Sequence, residues 1–428
     1  WYAPREGEFS FADRLKRIGY QTAAIGKMHL TPWYDNFGFA GRIIAEAKFH
    51  VDCPDDYESF LRAHGTSRKE LYDFKSETYL NQCSAVKSKL PQELHIDSFV
   101  GRSVCEYLKH VSEPFCAVGS FLSPHNPYDP PGPYEPLFMD KDLPPVNRTE
   151  GEVERKPREA YDYINARLSH WPTRTDQLSN DQIHRIKAYY YSLNTLVDDW
   201  IGRIVETLEA QGLADNTIII YMSDHGDLLG DHGLIYKQVF YEQSVRVPCI
   251  VHAPGIVKPG RRSQMVESID LYNTICDVAG AWEGEGTQGK SLLPLLRGET
   301  DRHREAAFSE NYFGKMVRYE DWKMVYYAGK PYGELYNLAE DPMEQDNLWD
   351  RMEGSAIKQE LKDRLLDWMV KSEDPLPLPV RPGHQDYTPK HLSMEDGAAV
   401  TSRRQPWYLE DLLPLYENWE LSEDGKLR

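Results

Sequence analysis

The segment Asp215–Pro254 reads DNTIIIYMSDHGDLLGDHGLIYKQVFYEQSVRVPCIVHAP. Its first apolar run, Ile218–Met222, is rich in β-branched residues, long enough for a buried strand and too short for a helix. The run stops at Ser223-Asp224-His225-Gly226, which sets a carboxylate and an imidazole side by side where the strand ends. In open α/β sheets ligands gather outside the carboxyl ends of the strands. An oxygen donor beside a nitrogen donor is half of a divalent-metal site. A second pair, Asp231-His232, follows, then Lys237, and Arg246-Val247-Pro248 leads into another apolar run, Cys249–Ala253. Ordinary turn chemistry alone accounts for Asp and Gly after a strand. His232 could equally cap a loop, and Lys237 could be a solvated charge.

Two other segments weigh against those bland readings. Ser10–Gly19 reads as a helix, with Ser10 and Asp13 as a capping box, Phe11, Leu15 and Ile18 on one face, and Gly19 as its stop. Tyr20–Ile25 is then a strand, and Gly26 turns the chain so that Lys27 and His29 emerge at its end. Asp97–Val111 has helical spacing, Pro114–Leu122 reads as a strand, and Ser123-Pro124-His125 closes it. Three strand ends thus deliver Lys27 and His29, His125, and Asp224 with His225 to one sheet edge. The fold class is α/β, with a large mixed, mostly parallel sheet flanked by helices.

Between these landmarks, residues 31–89 read as an irregular excursion rich in aromatics, and 127–160 as a long proline-rich loop. Asp181–Gly212 is the strongest helix, so Asp198 and Asp199 within it read as solvated or paired and not as ligands. A polar break at 298–304 predicts a domain boundary: a main α/β domain over 1–298, a small α+β subdomain with an antiparallel sheet over 299–374, and an extended arm over 375–428. The strand-like pieces of the subdomain are Ala306–Phe308, Met316–Arg318, Trp322–Tyr327 and Glu334–Asn337, followed by a helix over Ile357–Val370. The arm's prolines and aromatics suit packing on the body or on a second copy of the chain in a homo-oligomer.

The ordered set of motifs resembles one family. SDHGDLLGDHGLIYK with SVRVP, from Ser223 to Pro248, resembles the metal-binding and lysine segment of the sulfatases, within the alkaline-phosphatase-like superfamily. Gly19–Leu30, GYQTAAIGKMHL, resembles the family's second signature, and Pro124-His125-Asn126-Pro127-Tyr128 its Pro-His-x-Pro-aromatic loop. DLYNT at Asp270–Thr274 and ELYNL at Glu334–Leu338, with Asp341-Pro342, extend the likeness to about residue 348. The resemblance implies an alkaline-phosphatase-like sandwich that hydrolyses a sulfate ester on a sugar or aryl alcohol. It implies Asp224 and His225 as metal ligands. Lys27, His29, His125 and Lys237 become sulfate-contacting catalytic residues, with His125 or Lys237 as the acid for the leaving oxygen. Asp231 and His232 become supports behind them, or parts of a hydrogen-bonded loop. Calcium is the first expectation for the metal, while the His225 nitrogen admits manganese, magnesium or zinc. A phosphonate or phosphate ester hydrolase is the rival enzyme, since one fold serves both transfers. A non-catalytic anion-binding relative is the rival outside catalysis.

Bulk properties narrow the partners. A net charge of −19 disfavours nucleic acid as the main partner and makes a local cluster of lysines notable. No apolar run approaches the length of a membrane span. Six cysteines without CxxC spacing are neither a disulfide scaffold nor a zinc ribbon, and they leave the compartment unassigned. Cys116 and Cys249, inside apolar runs, are expected in the core. The family's nucleophile is a formylglycine made from Cys or Ser in C-x-P-x-R or S-x-P-x-R, and no Cys or Ser here has that context. The chain begins Trp1-Tyr2-Ala3-Pro4. The expectation is that the nucleophile segment and the family's first strand precede the helix at Ser10.

Overall fold

The computed structural model describes residues 9–30, 35–48, 55–168, 171–281, 287–351 and 355–372. The predicted arm over 375–428 lies outside the described residues. Ser10 caps α1 (Phe11–Arg17): its hydroxyl accepts the Asp13 amide, and the Asp13 carboxylate accepts the Ser10 amide. The chain then enters β1 (Gln21–Gly26), buried from Thr22 to Gly26. β1 pairs in parallel with β2 (Gly41–Ile44) on one side and β3 (Phe115–Ser120) on the other. The order is therefore β2-β1-β3.

β2 corrects the expectation of an irregular 31–89. That stretch also holds α2 (Asp56–Ala63), α3 (Arg68–Leu71) and α4 (Glu77–Asn81). A strand as short as Gly41-Arg42-Ile43-Ile44 with a central arginine has no clear period. Arg42 is nevertheless fully buried, because its guanidinium reaches the Asp35 carbonyl at 2.7 Å and Glu46 at 3.3 Å. Buried charge of this kind is tolerated only when it is paired.

α5 (Ile96–His110) precedes β3 and packs on the long α8 (Asn180–Ala210). Between them, the loop expected over 127–160 contains α6 (Glu152–Arg155) and the start of α7 (Arg158–Arg167). Gly101 lets α5 and α8 meet closely: a Cβ there would sit 2.4 Å from the Trp200 ring. α8 has its own capping box, Ser179 with Gln182, and buries Ile183, Ile186, Leu193, Leu196 and Trp200. Asp199, as expected, is paired, accepting the Tyr134 hydroxyl at 2.6 Å.

β4 (Ile219–Met222) pairs antiparallel with β5 (Cys249–His252) as a separate two-stranded sheet, with α9 (Glu242–Val245) between them in sequence. The large sheet is thus in two pieces among the described residues. The segments that lead into β3 and β4 touch, since Asn216 Nδ2 donates to Glu113 Oε2 at 3.2 Å. Each nevertheless presents an edge with no strand partner among the described residues. Ile250 and Cys249 are exposed, so the expectation of a core Cys249 fails, and Cys116 is only half buried. The reason is local: β5 belongs to a two-stranded sheet whose faces are incompletely covered.

α10 (Asp270–Val278) and α11 (Leu293–Arg297) lead to a four-stranded antiparallel meander, β6 (Ala306–Glu310), β7 (Gly314–Tyr319), β8 (Trp322–Tyr327) and β9 (Gly333–Asn337). All four strands fall on the pieces read from the sequence. α12 (Ser355–Ser372) closes one face through Leu361 and Leu365, which pack with Val317, Met324 and Leu335. Among the described residues no helix is long and apolar enough to cross a membrane.

Candidate active site at the strand ends

Two glycines build the turns that carry the site. Gly26 has φ +104° and lies so close to β3 that a Cβ would meet the Ser120 carbonyl at 2.0 Å. Only glycine fits, and the next residue, Lys27, donates its amide to that carbonyl at 3.1 Å. After β4, Gly226 performs the same service: a Cβ would meet the Gln243 carbonyl at 1.9 Å, and its amide reaches the Ser244 carbonyl at 2.8 Å.

Asp224 and His225 follow β4 directly. The Asp224 Oδ2 and His225 Nε2 atoms lie 3.4 Å apart. His225 Nδ1 lies 2.8 Å from the Gly226 carbonyl. A carbonyl can only accept, so Nδ1 carries the proton and Nε2 offers its lone pair beside the carboxylate. Desolvation, then Lys237, lowers the pKa of His225 and keeps the ring neutral. Desolvation acts upward on Asp224, but His225, Lys27 and Lys237 hold its carboxyl below the ordinary range. An ionised oxygen and a neutral, oriented nitrogen are fit donors for a divalent cation. Among the described residues no third His, Cys, Asp or Glu completes a metal-sized cluster with them.

Lys237 sits between two residues in the left-handed region, Tyr236 at φ 70° and Gln238 at φ 81°. Such backbone costs about 1–3 kcal/mol per residue and persists only where neighbours enforce it. Asp227 enforces one side: it accepts the amides of Tyr236 at 2.9 Å and Leu229 at 3.0 Å, and the Tyr128 hydroxyl at 3.1 Å. Asn311, from the β6–β7 turn, enforces the other by donating to the Gln238 carbonyl at 2.9 Å. The C-terminal meander therefore helps fix the backbone beside Lys237.

His125 lies in the loop after β3, between cis Ser123-Pro124 and cis Asn126-Pro127. Its Nδ1 donates to the Asn126 carbonyl at 2.6 Å. Burial, then Lys237 and Lys27, pushes its pKa down to about 3. His29 follows Lys27 in a left-handed conformation at φ 52°, and desolvation, then Lys27, lowers its pKa. Desolvation, then Lys27, lowers that of Lys237. The charges of Lys27 and Lys237 both act on His29, His125 and Asp224, and that of Lys237 also on His225, so six side chains widely separated in sequence lie within electrostatic reach of one another's neighbourhood. Two ammonium groups held in mutual repulsion form a receptor for an anion.

Asp231 and His232 have other partners. His232 is fully buried, with Nδ1 at 2.5 Å from Glu152 Oε1 and its ring stacked on Tyr241 at 4.0 Å. Asp231 Oδ1 accepts the Asn147 amide at 2.9 Å, and the Asn147 carbonyl accepts the His232 amide at 2.8 Å. The pair latches residues 147–152 to the loop that leads to Lys237. Sequence reasoning missed Asp227 and Asn311. Only Asp227 carried a signal, as an acidic residue next to the Asp224-His225-Gly226 turn.

The family model described as Sulfatase matches residues 3–281, more than half of the chain. The chain belongs to the sulfatase family. A second model, N-sulphoglucosamine sulphohydrolase, C-terminal, matches this sulfatase over 230–371, which includes the whole meander. An arylsulfatase of Clostridium perfringens is 27% identical over 373 residues, covering 80% of this chain and 74% of its own. A choline-sulfatase of Rhizobium meliloti is 28% identical over 363 residues, covering 81% and 68%. Among solved structures, the phosphonate monoester hydrolase of Agrobacterium radiobacter superposes with a TM-score of 0.68 at 24% identity, over 84% of this chain and 80% of that one. That likeness shows the shared alkaline-phosphatase-like fold.

Proposed function

We propose that this sulfatase hydrolyses a sulfate ester on a sugar or aryl alcohol, holding the sulfate among Lys27, His29, His125 and Lys237. The observation that carries the reading is the convergence of two lysines and two low-pKa histidines on the strand ends beside Asp224 and His225. Lys27 and Lys237 neutralise charge as it builds on the sulfate oxygens. The geometry also favours one acid for the departing alcohol. His125 is neutral, its only proton is committed to the Asn126 carbonyl, and its Nε2 accepts. The Lys237 ammonium has protons to give, and its lowered pKa eases the transfer.

Asp224 and His225 supply two of the donors of a divalent metal, calcium first among the candidates, with manganese, magnesium or zinc admitted by the nitrogen. When bound, such an ion screens sulfate oxygens and lowers the pKa of a coordinated nucleophile. Asp224→Ala is expected to reduce metal content from stoichiometric to background in elemental analysis of the purified protein. Normal occupancy in that variant removes Asp224 from the ligand set.

No cysteine of the chain stands in the family's C-x-P-x-R context, and burial raises the thiol pKa of Cys83, Cys105 and Cys276. We propose that the nucleophile is a formylglycine of the kind the family uses. The deciding assay compares an aryl sulfate with the matching aryl phosphonate, using the protein as its natural source makes it. Faster turnover of the sulfate is expected, and a large phosphonate preference overturns the substrate assignment. Anion binding without turnover of either favours the non-catalytic alternative.

A further inference from the structure

The chain leaving β2 carries two charged side chains that reach the two histidine-bearing loops from behind. Glu46 accepts the backbone amides of Met28 at 3.1 Å and His29 at 2.9 Å, one on each carboxylate oxygen. It thereby stabilises the left-handed turn that presents the His29 ring. Lys48, buried with Asp129, donates to the Pro127 carbonyl at 3.0 Å and to Asp129 Oδ1 at 2.7 Å. Those two contacts hold the chain just past His125. The far oxygen of Asp129 accepts the Tyr72 hydroxyl at 2.5 Å.

The two holding groups are themselves fixed to each other. Arg68 grips both Asp55 oxygens, at 2.6 and 2.7 Å, and donates from Nε to the Ala47 carbonyl at 2.8 Å. Asp55 Oδ2 in turn accepts the Glu46 amide at 3.1 Å. Buried, fully paired ions of this kind tolerate little displacement.

From this geometry we infer that Glu46 and Lys48 are positioning residues, and that the stretch 46–48 fixes the spacing between the His29 and His125 rings. The inference rests on the reading that those two rings contact the sulfate. It explains why charged side chains are placed here away from the reacting atoms. A misplacement of about 1 Å in a reacting constellation lowers rates by up to about a hundredfold.

The test separates positioning from charge. Glu46→Asp keeps the carboxylate but shortens it, so one side chain no longer reaches both amides. Lys48→Met removes both donors at similar length, and Lys48→Arg restores a donor able to reach both acceptors. With an aryl sulfate, Glu46→Asp and Lys48→Met are each expected to lower kcat about ten- to a hundredfold at a KM within about threefold of the parent, with Lys48→Arg recovering most of the loss. Rates are compared per folded molecule, and Lys48→Met is the variant more exposed to misfolding because it strands Asp129. A second readout does not depend on turnover: the neutral-form ring NMR signals of His29 and His125. Glu46→Asp is expected to displace that of His29 alone, and Lys48→Met that of His125 alone. Parental kcat in Glu46→Asp, or ring signals unmoved in both variants, overturns the inference. If the parent does not cleave aryl sulfate, the functional reading falls and the ring signals alone decide the positioning role.

Discussion

Lys237→Ala is expected to slow hydrolysis of unactivated alkyl or sugar sulfates about a thousandfold, while a nitrophenyl sulfate loses far less. The asymmetry follows from the role. A nitrophenolate leaves without a proton, so for that substrate the variant loses only electrostatic stabilisation of the sulfate. A sugar alkoxide must be protonated as it leaves, and neutral His125, with its proton held by the Asn126 carbonyl, is no substitute donor. The measurement is kcat/KM for a series of sulfate esters of differing leaving-group pKa in both proteins. Equal losses across the series remove Lys237 as the acid and leave it as a charge.

The same assignment fixes a pH dependence. Desolvation, and after it Lys27, lowers the Lys237 pKa below its ordinary 10.5. The ammonium is therefore complete at low pH and is lost as pH rises through that lowered value. Activity should fall on an alkaline limb lying below the lysine range, and Lys237→Arg should abolish the limb along with most of the rate, because a guanidinium keeps its protons.

What the sequence showed and what it hid divide along physical lines. Lys27, His125 and Asp224 were legible because each follows an apolar run and a turn residue, and local chemistry alone places such residues at strand ends. β2 was illegible because a buried arginine in a four-residue strand breaks the apolar signal that marks strands. Glu46 and Lys48 were hidden for a different reason: their partners, the Met28 and His29 amides and Asp129, are remote in sequence, so no window contains the interaction. For His232 the sequence left two readings open, a support behind the metal ligands or a part of a hydrogen-bonded loop. Local sequence cannot separate the two, because the contacts that bear on them, with Tyr241 and with Glu152, are partly remote in sequence.

The contact between the meander and the segment that follows Lys237 sets the second large effect. Lys323, on β8, is fully buried and donates to Glu344 Oε1 at 2.6 Å and to the Phe240 carbonyl at 2.8 Å, with Glu242 Oε1 also at 2.8 Å. Burial pushes the Glu344 carboxyl up by more than Lys323 offsets. For Glu242 burial also acts upward, yet Lys323 and Arg318 prevail and hold it low. One ammonium thus serves two carboxylates just beyond the Lys237 loop. Replacing it by methionine fills the space and leaves Glu344 without a cation, a change that costs about 3–5 kcal/mol. Lys323→Met should therefore lower the urea midpoint markedly at pH 8. The sign with pH follows from the orphaned Glu344 carboxylate, since Glu242 keeps Arg318 at 3.0 Å: protonation relieves it, so the deficit should shrink at pH 5, where a buried acid freed of its cation is neutral. A deficit that is the same at both pH values would mean that lost packing, and not stranded charge, is what Lys323 prevents. Because Phe240 and Glu242 lie so close to Lys237, the variant should also slow sugar sulfates more than nitrophenyl sulfate, as a milder copy of Lys237→Ala.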